Sequence, residues 1–180
     1  LYPQYLHKIS EHDFNLFIDI FTKIQNIKIV FINGTNIEKN IKDINNKLIE
    51  FKNRYVILPS LKTGNFYQVI KNSFLLLDSY PHGGCNTSLE AFYYNKIILT
   101  KPSNFLRGRF TLGFYKKMVI SECIMGSNYN FINMINKLLE SNIYKESIES
   151  KINKNKYLLY NDFESVYEWS NTLENLFKSN

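Results

Sequence analysis

The sequence predicts an α/β fold in which a parallel sheet is covered by helices on both faces, followed by a helical tail. In the first two-thirds of the chain, short apolar runs alternate with amphipathic stretches of helical length. Continuous apolar runs are typical of parallel strands that are buried on both faces. After Gly126 only helical periodicity remains. We therefore expect one domain over residues 1–180, with a sheet part at about 1–125 and a tail at 126–180.

The first elements are a helix, a strand and a second helix. The first helix is predicted over residues 13–25, and Ser10 with Asp13 resembles a capping box at its start. Its apolar face carries Leu16, Phe17, Ile20 and Ile24. The run KIVFIN at residues 28–33 predicts a buried strand. The second helix is predicted over residues 37–52, with an apolar stripe of Ile37, Ile41, Ile44 and Leu48.

The remaining elements follow the same alternation. Pro59 ends a predicted strand and Pro102 follows another, because proline cannot donate to a strand ladder. Strands are predicted at residues 55–58, 74–78 and 96–100, and helices at residues 65–72, 87–94, 106–117, 128–140, 143–152 and 162–177. Open parallel sheets bind ligands beyond the carboxyl ends of their strands. The loops expected at that edge follow Asn33, Leu58, Asp78 and Thr100.

The most informative loop is DSYPHGGCNTSLEAF at residues 78–92. Gly83 and Gly84 permit a close approach of the backbone, and Asn86 or Thr87 can cap the next helix. The free N–H groups and the dipole at a helix start attract anions. Glu90, one turn further, can accept hydrogen bonds from sugar hydroxyls. The loop suits a nucleotide diphosphate, but a well-capped turn without a ligand explains the same residues equally well.

Several function classes are disfavoured. The chain has neither a G-x-G-x-x-G stretch after its first strand nor a P-loop, which argues against a dinucleotide dehydrogenase and a P-loop NTPase. Its net charge is +6, but the lysines are scattered without a basic stripe, so no nucleic-acid partner is expected. No stretch approaches the roughly 20 apolar residues of a membrane span. The only cysteines, Cys85 and Cys123, show no disulfide pattern, so we expect a reducing, cytoplasmic compartment.

Two segments resemble a known family. The stretch from LLLDSYPHGGCNTSLEAF to FLRGRFTLGFYKKM is similar to the C-terminal catalytic half of the O-linked N-acetylglucosamine transferase and Spindly family, most of all to bacterial members with their GG-x-NTSLEA loop and F-L-R-G-R segment. The opening PQYLHKIS also resembles that family's PQ-x-L-x-K-I stretch. The resemblance implies the second half of a two-domain GT-B glycosyltransferase with a Rossmann-like parallel sheet, acting by inversion and without a metal.

The resemblance also implies roles for individual residues. Lys8 matches the lysine that contacts the donor phosphates, and we expect it to act in catalysis. The donor-binding residues implied are Gly83, Gly84, Cys85, Asn86, Thr87, Glu90, Phe66 and Arg109. Among them Asn86 and Thr87 match the phosphate-binding pair, Glu90 the ribose ligand and Phe66 the side chain against the base. Cys85 stands where animal members have histidine, which leaves one phosphate contact open.

The expected ligand is a UDP- or GDP-sugar, with no cofactor and no metal ion. By the same resemblance, the expected partners are a protein or peptide acceptor, an N-terminal catalytic half and tetratricopeptide repeats. The chain lacks an initiator Met, so we expect it to be a piece of a longer protein. The function expected is transfer of a sugar, N-acetylglucosamine first, to a protein hydroxyl. Alternatives are a non-catalytic nucleotide- or anion-binding module and half of an epimerase-like enzyme.

Other residues have competing interpretations. Cys85 beside His82 suggests a thiol nucleophile, but the spacing provides no third group to orient the pair. Arg107 and Arg109 can approach a donor or form ordinary ion pairs. In the tail, the aromatic residues are interpreted as packing of the last helices: Tyr157, Tyr160, Phe163, Tyr167 and Trp169.

Overall fold

Parallel strands lie side by side in the computed structural model, which describes residues 1–34 and 38–178. The strands are β1 (Tyr2–Tyr5), β2 (Ile29–Ile32), β3 (Tyr55–Leu58), β4 (Leu76–Leu77) and β5 (Ile98–Leu99). β1 pairs with β2 and β2 with β3, while β4 pairs with β5, all in parallel. The N–H of Leu77 donates to the carbonyl of Leu1 at 2.8 Å, which places β4 beside β1. The lateral order is therefore β3-β2-β1-β4-β5.

Helices connect and flank these strands, as predicted. They are α1 (Glu11–Lys23), α2 (Glu38–Lys47), α3 (Thr63–Asn72), α4 (Asn86–Tyr93), α5 (Phe110–Lys117), α6 (Asn128–Glu140), α7 (Asn142–Asn155), α8 (Tyr157–Tyr160) and α9 (Phe163–Lys178). Short 3-10 turns lie at Leu6–Lys8, Ile49–Arg54 and Leu106–Gly108. The expected fold class is confirmed. Ile37, predicted to begin the second helix, lies outside the described residues.

The start of α1 shows how the sequence sets a helix boundary. The Ser10 hydroxyl accepts a hydrogen bond from the Asp13 N–H at 3.3 Å, and the Asp13 carboxylate accepts one from the Ser10 N–H at 2.9 Å. This reciprocal pair is the predicted capping box. Because it makes Ser10 the cap, α1 begins at Glu11, two residues earlier than the pattern of apolar residues indicated.

The sequence pattern missed strand β1. Its residues include Pro3 and Gln4, so no continuous apolar run marks it. Tyr2 nevertheless lies fully buried between Phe17 and Phe31, with ring centroids at 5.3 Å and 5.9 Å. This strand sits in the middle of the sheet. From β1 the chain adds β2 and β3 on one side, and it then returns to place β4 and β5 on the other side of β1.

The central strands are shorter than predicted. Residues 74–78 were expected to form one strand, but only Leu76 and Leu77 pair with β5 in the ladder. Phe74 precedes β4 in the sequence, and its side chain is 38% exposed. The N–H of Asp78 still donates to the carbonyl of Leu99 at 2.9 Å, so the chain stays extended up to the loop.

The helical tail has a packed part and an exposed part. Buried side chains of α6 and α7 join the core, among them Phe131, Ile135 and Ile152. The interpretation of the tail aromatics as packing is wrong for Tyr157, Phe163, Tyr167 and Trp169, which are each at least 60% exposed. Tyr157 lies in α8 and the other three lie in α9, and neither helix has a buried residue. Across residues 1–34 and 38–178, no helix has the length and apolar character that crossing a membrane requires.

Candidate functional site

The candidate site lies where the strand order reverses. β1 and β4 are parallel neighbours that end at the same edge of the sheet. From there the chain continues toward β2 on one side and toward β5 on the other. Such a reversal opens a crevice between the two loops that follow, and open α/β sheets bind ligands there. The loop after β1 carries Lys8, and the loop after β4 is the glycine-rich segment. The topology therefore brings together two segments that are far apart in sequence.

Asp78 holds the glycine-rich loop in place. Its Oδ1 atom accepts hydrogen bonds from the N–H groups of Gly84 at 2.7 Å and Ser79 at 3.1 Å. Its Oδ2 atom accepts one from the Thr100 hydroxyl at 2.8 Å. Burial raises the pKa of this carboxyl, and the hydrogen bonds from Gly84 and Thr100 oppose the rise. In the sequence, the pattern around Asp78 indicated only the end of a strand. A charged residue after the most apolar run was the available signal, because buried charges need partners.

Two glycines permit the close contacts of this region. A Cβ atom on Gly84 would lie 2.7 Å from Gln4 Nε2 and 2.7 Å from Ser88 Oγ, so this residue is wedged between β1 and α4. One on Gly108 would lie 2.2 Å from the carbonyl oxygen of Pro81. The segment FLRGR therefore packs directly against the glycine-rich loop. The two stretches that carried the family resemblance form one structural unit.

Helix α4 begins at Asn86 without a side-chain cap. Either Asn86 or Thr87 was expected to cap this helix, but both lie inside its first turn. Cys85 occupies the cap position, and its side chain makes no capping hydrogen bond. The N–H groups of Ser88 and Leu89 bond to the Cys85 carbonyl. Among the described residues, the N–H groups of Asn86 and Thr87 have no hydrogen-bond acceptor. An uncapped first turn of this kind offers free donors to an anion.

Basic side chains surround this helix start. Lys8 Nζ donates to Gln4 Oε1 at 3.0 Å. Partial burial lowers the pKa of Lys8, and attraction to Asp78 and Cys85 opposes that change. Burial also lowers the pKa of His82, and the positive charges of Lys8 and Arg107 lower it further. The positive charges of Lys8 and Arg107 near this loop favour an anionic ligand.

A cleft of about 290 Å³ adjoins the helix start. Its walls include Gln4 and Tyr5 from β1, Leu61 and Phe66 near the start of α3, and Thr87 and Glu90 from α4. The structure thus brings together Phe66, Thr87 and Glu90, three of the residues that the sequence assigned to a donor site. An aromatic ring, a hydroxyl and a carboxylate facing one cleft can together contact a base and a sugar.

Tyr67 supports Glu90 and was missed by sequence analysis. Its hydroxyl donates to Glu90 Oε1 at 3.3 Å. Burial raises the pKa of Glu90, and the hydrogen bond from Tyr67 opposes this rise. No local pattern connects a residue on α3 with one on α4, so only the tertiary structure reveals the pair.

The other residues assigned to the donor site do not line the cleft. The Arg109 guanidinium donates to the Ser103 carbonyl at 3.0 Å and does not line the cleft within the described chain. Asn86 is exposed at the helix start, and Cys85 is a half-buried free thiol beside Lys8. Gly83 is buried, with Asp78 Oδ2 at 3.1 Å from the position of a Cβ atom.

A larger cavity lies elsewhere and has little polar chemistry. Its volume is about 660 Å³, and its walls include Leu1, Val30, Val56 and Phe74. Lys28 is the single ionisable side chain that lines it within the described residues. Size alone would favour this cavity, but the smaller cleft adjoins the helix start and the basic residues. We therefore take the smaller cleft as the candidate site.

Asp13 makes the stability of the protein depend on pH. Its Oδ1 atom accepts a hydrogen bond from the Tyr80 N–H at 3.1 Å, and burial raises its pKa from 3.8 to about 6. Because the folded-state pKa lies above the unfolded value, the stability that this group contributes is present at low pH and is lost as the pH rises through 6. Relative to Asp13→Asn, the wild type should gain about 1 kcal/mol of unfolding free energy between about pH 7 and about pH 5. Urea denaturation of both proteins at both pH values measures this, and an equal pH response in the two would contradict it.

Comparisons with known proteins support the fold. No family model and no curated protein matches the chain. Among solved structures, it is similar to a point mutant of an O-GlcNAc transferase from Thermobaculum terrenum, with a TM-score of 0.77 and 15% sequence identity. The similarity covers 92% of the present chain and 37% of that one. The chain therefore has a glycosyltransferase-like fold, with a Rossmann-like parallel sheet and a helical C-terminal stretch.

Proposed function

We propose that this chain is the donor-binding domain of a protein O-glycosyltransferase and that it binds a nucleotide sugar where the strand order reverses. The observation that carries the proposal is the convergence of Lys8, the uncapped start of α4 and the cleft of Phe66 and Glu90 at one edge of the sheet. These groups come from three separate segments of the chain. Their chemistry fits the phosphates, the base and the ribose of one ligand.

The diphosphate would lie at the start of α4. The free N–H groups of Asn86 and Thr87 can donate to phosphate oxygens, and the helix dipole adds a partial positive charge. Lys8, which donates a hydrogen bond to Gln4, supplies a full positive charge near these N–H groups. Charge-assisted hydrogen bonds of this kind are stronger than neutral ones.

The nucleoside would occupy the cleft. Phe66 can lie against the base, and Glu90 can accept hydrogen bonds from the ribose hydroxyls. Tyr67 holds one oxygen of that carboxylate. A site built to pair a hydroxyl discriminates against ligands that lack it, because its polar group is then left without a partner.

The chemical role follows from charge. When the bond between the sugar and the diphosphate breaks, negative charge grows on the phosphate, and Lys8 with the α4 N–H groups stabilises it. A hydroxyl of a protein acceptor would attack the sugar carbon from the face opposite the diphosphate, and its proton would pass to a base on the N-terminal half. The first sugar to test is N-acetylglucosamine. We assign the groups that hold this acceptor to an N-terminal catalytic half of a longer protein, in which tetratricopeptide repeats are a further expected part.

Calorimetric titration with UDP, GDP and their sugars tests the proposal. We expect binding at millimolar concentration or tighter to at least one of them, without added metal. Absence of binding to all of them would refute the donor site. Binding of the nucleotides with no gain from the attached sugar would favour a nucleotide-binding module over a transferase.

Glu90→Gln should weaken binding of the preferred nucleotide by about tenfold, because a neutral amide replaces a charged acceptor of the ribose hydroxyls. The wild type should also prefer the ribonucleotide over its 2′-deoxy analogue, and the variant should lose this preference. Glu140→Gln, on the exposed end of α6, is the matched control and should bind like the wild type. A variant that keeps both affinity and preference would remove Glu90 from the site.

A further inference from the structure

A second pocket lies on the outer side of α4. Its volume is about 410 Å³, within the usual range of small-molecule sites. Its walls are Tyr67, Leu89, Glu90, Tyr93, Tyr94 and Tyr160, contributed by α3, α4 and α8. The Tyr93 and Tyr160 rings are nearly perpendicular, with centroids 6.3 Å apart. Tyrosine rings therefore form most of this surface.

The pocket also offers hydrogen-bonding groups. The Glu90 carboxylate has one donor, the Tyr67 hydroxyl, and so keeps capacity to accept. The Tyr160 hydroxyl donates to the carbonyl of Leu89 at 2.5 Å, which fixes that wall. Among residues 1–34 and 38–178, the hydroxyls of Tyr93 and Tyr94 have no hydrogen-bond partner in the structure. A ligand with several hydroxyls could use these groups together.

The charges around the pocket disfavour an ionic ligand. Glu90 would repel an anion. Lys71 Nζ lies 4.6 Å from the centroid of the Tyr94 ring, and Lys156 Nζ lies 5.5 Å from that of Tyr93. Each ammonium group already occupies one face of its ring, and both would repel a further cation. The remaining fit is a neutral ligand that has both an apolar face and hydroxyl groups.

We propose that this pocket binds a neutral saccharide ring. The apolar C–H face of the sugar would lie against the face of the Tyr93 ring opposite Lys156. Its hydroxyls would form hydrogen bonds with Glu90 and with the free hydroxyls of Tyr93 and Tyr94. The pocket is separate from the nucleotide cleft, although Glu90 lies in the wall of both. It would give the protein a place for a sugar of a glycosylated partner, beyond the sugar that the nucleotide carries.

NMR titration of the chain with glucose and with N-acetylglucosamine, without nucleotide, tests this proposal. Saturable shifts should appear at the amides of Leu89, Tyr93 and Tyr94 in the millimolar range. Tyr93→Ala should weaken this binding by about tenfold, because it removes the stacking ring. Tyr93→Phe should keep most of the affinity, and Tyr129→Ala, which removes an exposed tyrosine on α6, should match the wild type.

The absence of saturable shifts for both sugars in the unmodified chain would overturn the proposal, as would unchanged binding in a folded Tyr93→Ala variant. Saturation of the same amides by tetramethylammonium instead of the sugars would identify a cation site and also overturn it. UDP titration of Tyr93→Ala should give the wild-type affinity. The sugar titration contains no nucleotide, so its outcome does not depend on whether the proposed nucleotide site is correct.

Discussion

Replacing Asp78 with alanine is expected to lower the free energy of unfolding by about 3 kcal/mol or more. The carboxylate accepts hydrogen bonds from the N–H groups of Gly84 and Ser79 and from the Thr100 hydroxyl. It is only 6% exposed, so water cannot replace it for these donors without opening the loop. Each buried donor without a partner costs roughly 1–3 kcal/mol. The variant should lose the fixed loop together with stability.

Asp78→Asn separates geometry from charge. The amide oxygen can keep the two backbone donors, while its NH₂ group can donate to the Thr100 hydroxyl, which is also able to accept. We therefore expect a cost of about 1 kcal/mol, well below that of alanine. Asp43→Ala on exposed α2 serves as the control and should change stability by less than about 0.5 kcal/mol. Urea denaturation gives all three values, and equal stabilities for Asp78→Ala and Asp43→Ala would contradict the role of Asp78.

Lys8→Ala is expected to weaken nucleotide binding by roughly 1–3 kcal/mol, or about fivefold to 150-fold. Partial burial lowers the pKa of this ammonium, and attraction to Asp78 and Cys85 opposes that change. Lys8→Ala removes this positive charge from beside the N–H groups at the start of α4. Added salt should weaken binding more in the wild type than in Lys8→Ala, because salt screens the charge that the variant lacks.

Lys52→Ala is the matched control for this prediction, because Lys52 is exposed on the 3-10 turn before β3. It should bind nucleotides like the wild type in calorimetry. The same comparison with Thr87→Ala, expected to cost roughly 1–3 kcal/mol, reports on the helix start. Unchanged affinity in both Lys8→Ala and Thr87→Ala would mean that the phosphates do not lie at this loop.

Local patterns in the sequence predicted most elements of the fold. The Ser10 and Asp13 capping box, strand β3 and helix α6 follow from short-range periodicity and capping chemistry. β1 could not be predicted in this way, because Pro3 and Gln4 interrupt its apolar pattern and its burial depends on the neighbouring strands. Its absence from the prediction also left Lys8 without a structural position.

The candidate site could be predicted in part from local sequence chemistry and from the family resemblance, but its tertiary contacts could not. Local chemistry predicted an anion site at the glycine-rich loop with Glu90 as an acceptor for sugar hydroxyls, and the family resemblance added Lys8 and Phe66. The contacts of Asp78 with Gly84 and of Tyr67 with Glu90 join separate segments, and periodicity carries no information about such pairs. The cap of α4 was predicted at Asn86 or Thr87, but the loop turns at Cys85 and leaves both in the helix.

The central claim is that a nucleotide binds at the reversal of strand order, and NMR mapping of UDP and GDP on the intact chain tests it most directly. We predict saturable shifts for at least one of them at the amides of Gly84, Asn86 and Thr87, with further shifts at Phe66 and Glu90. Shifts confined to the apolar cavity around Val30 and Val56, or no saturable shift for either nucleotide, would contradict the account.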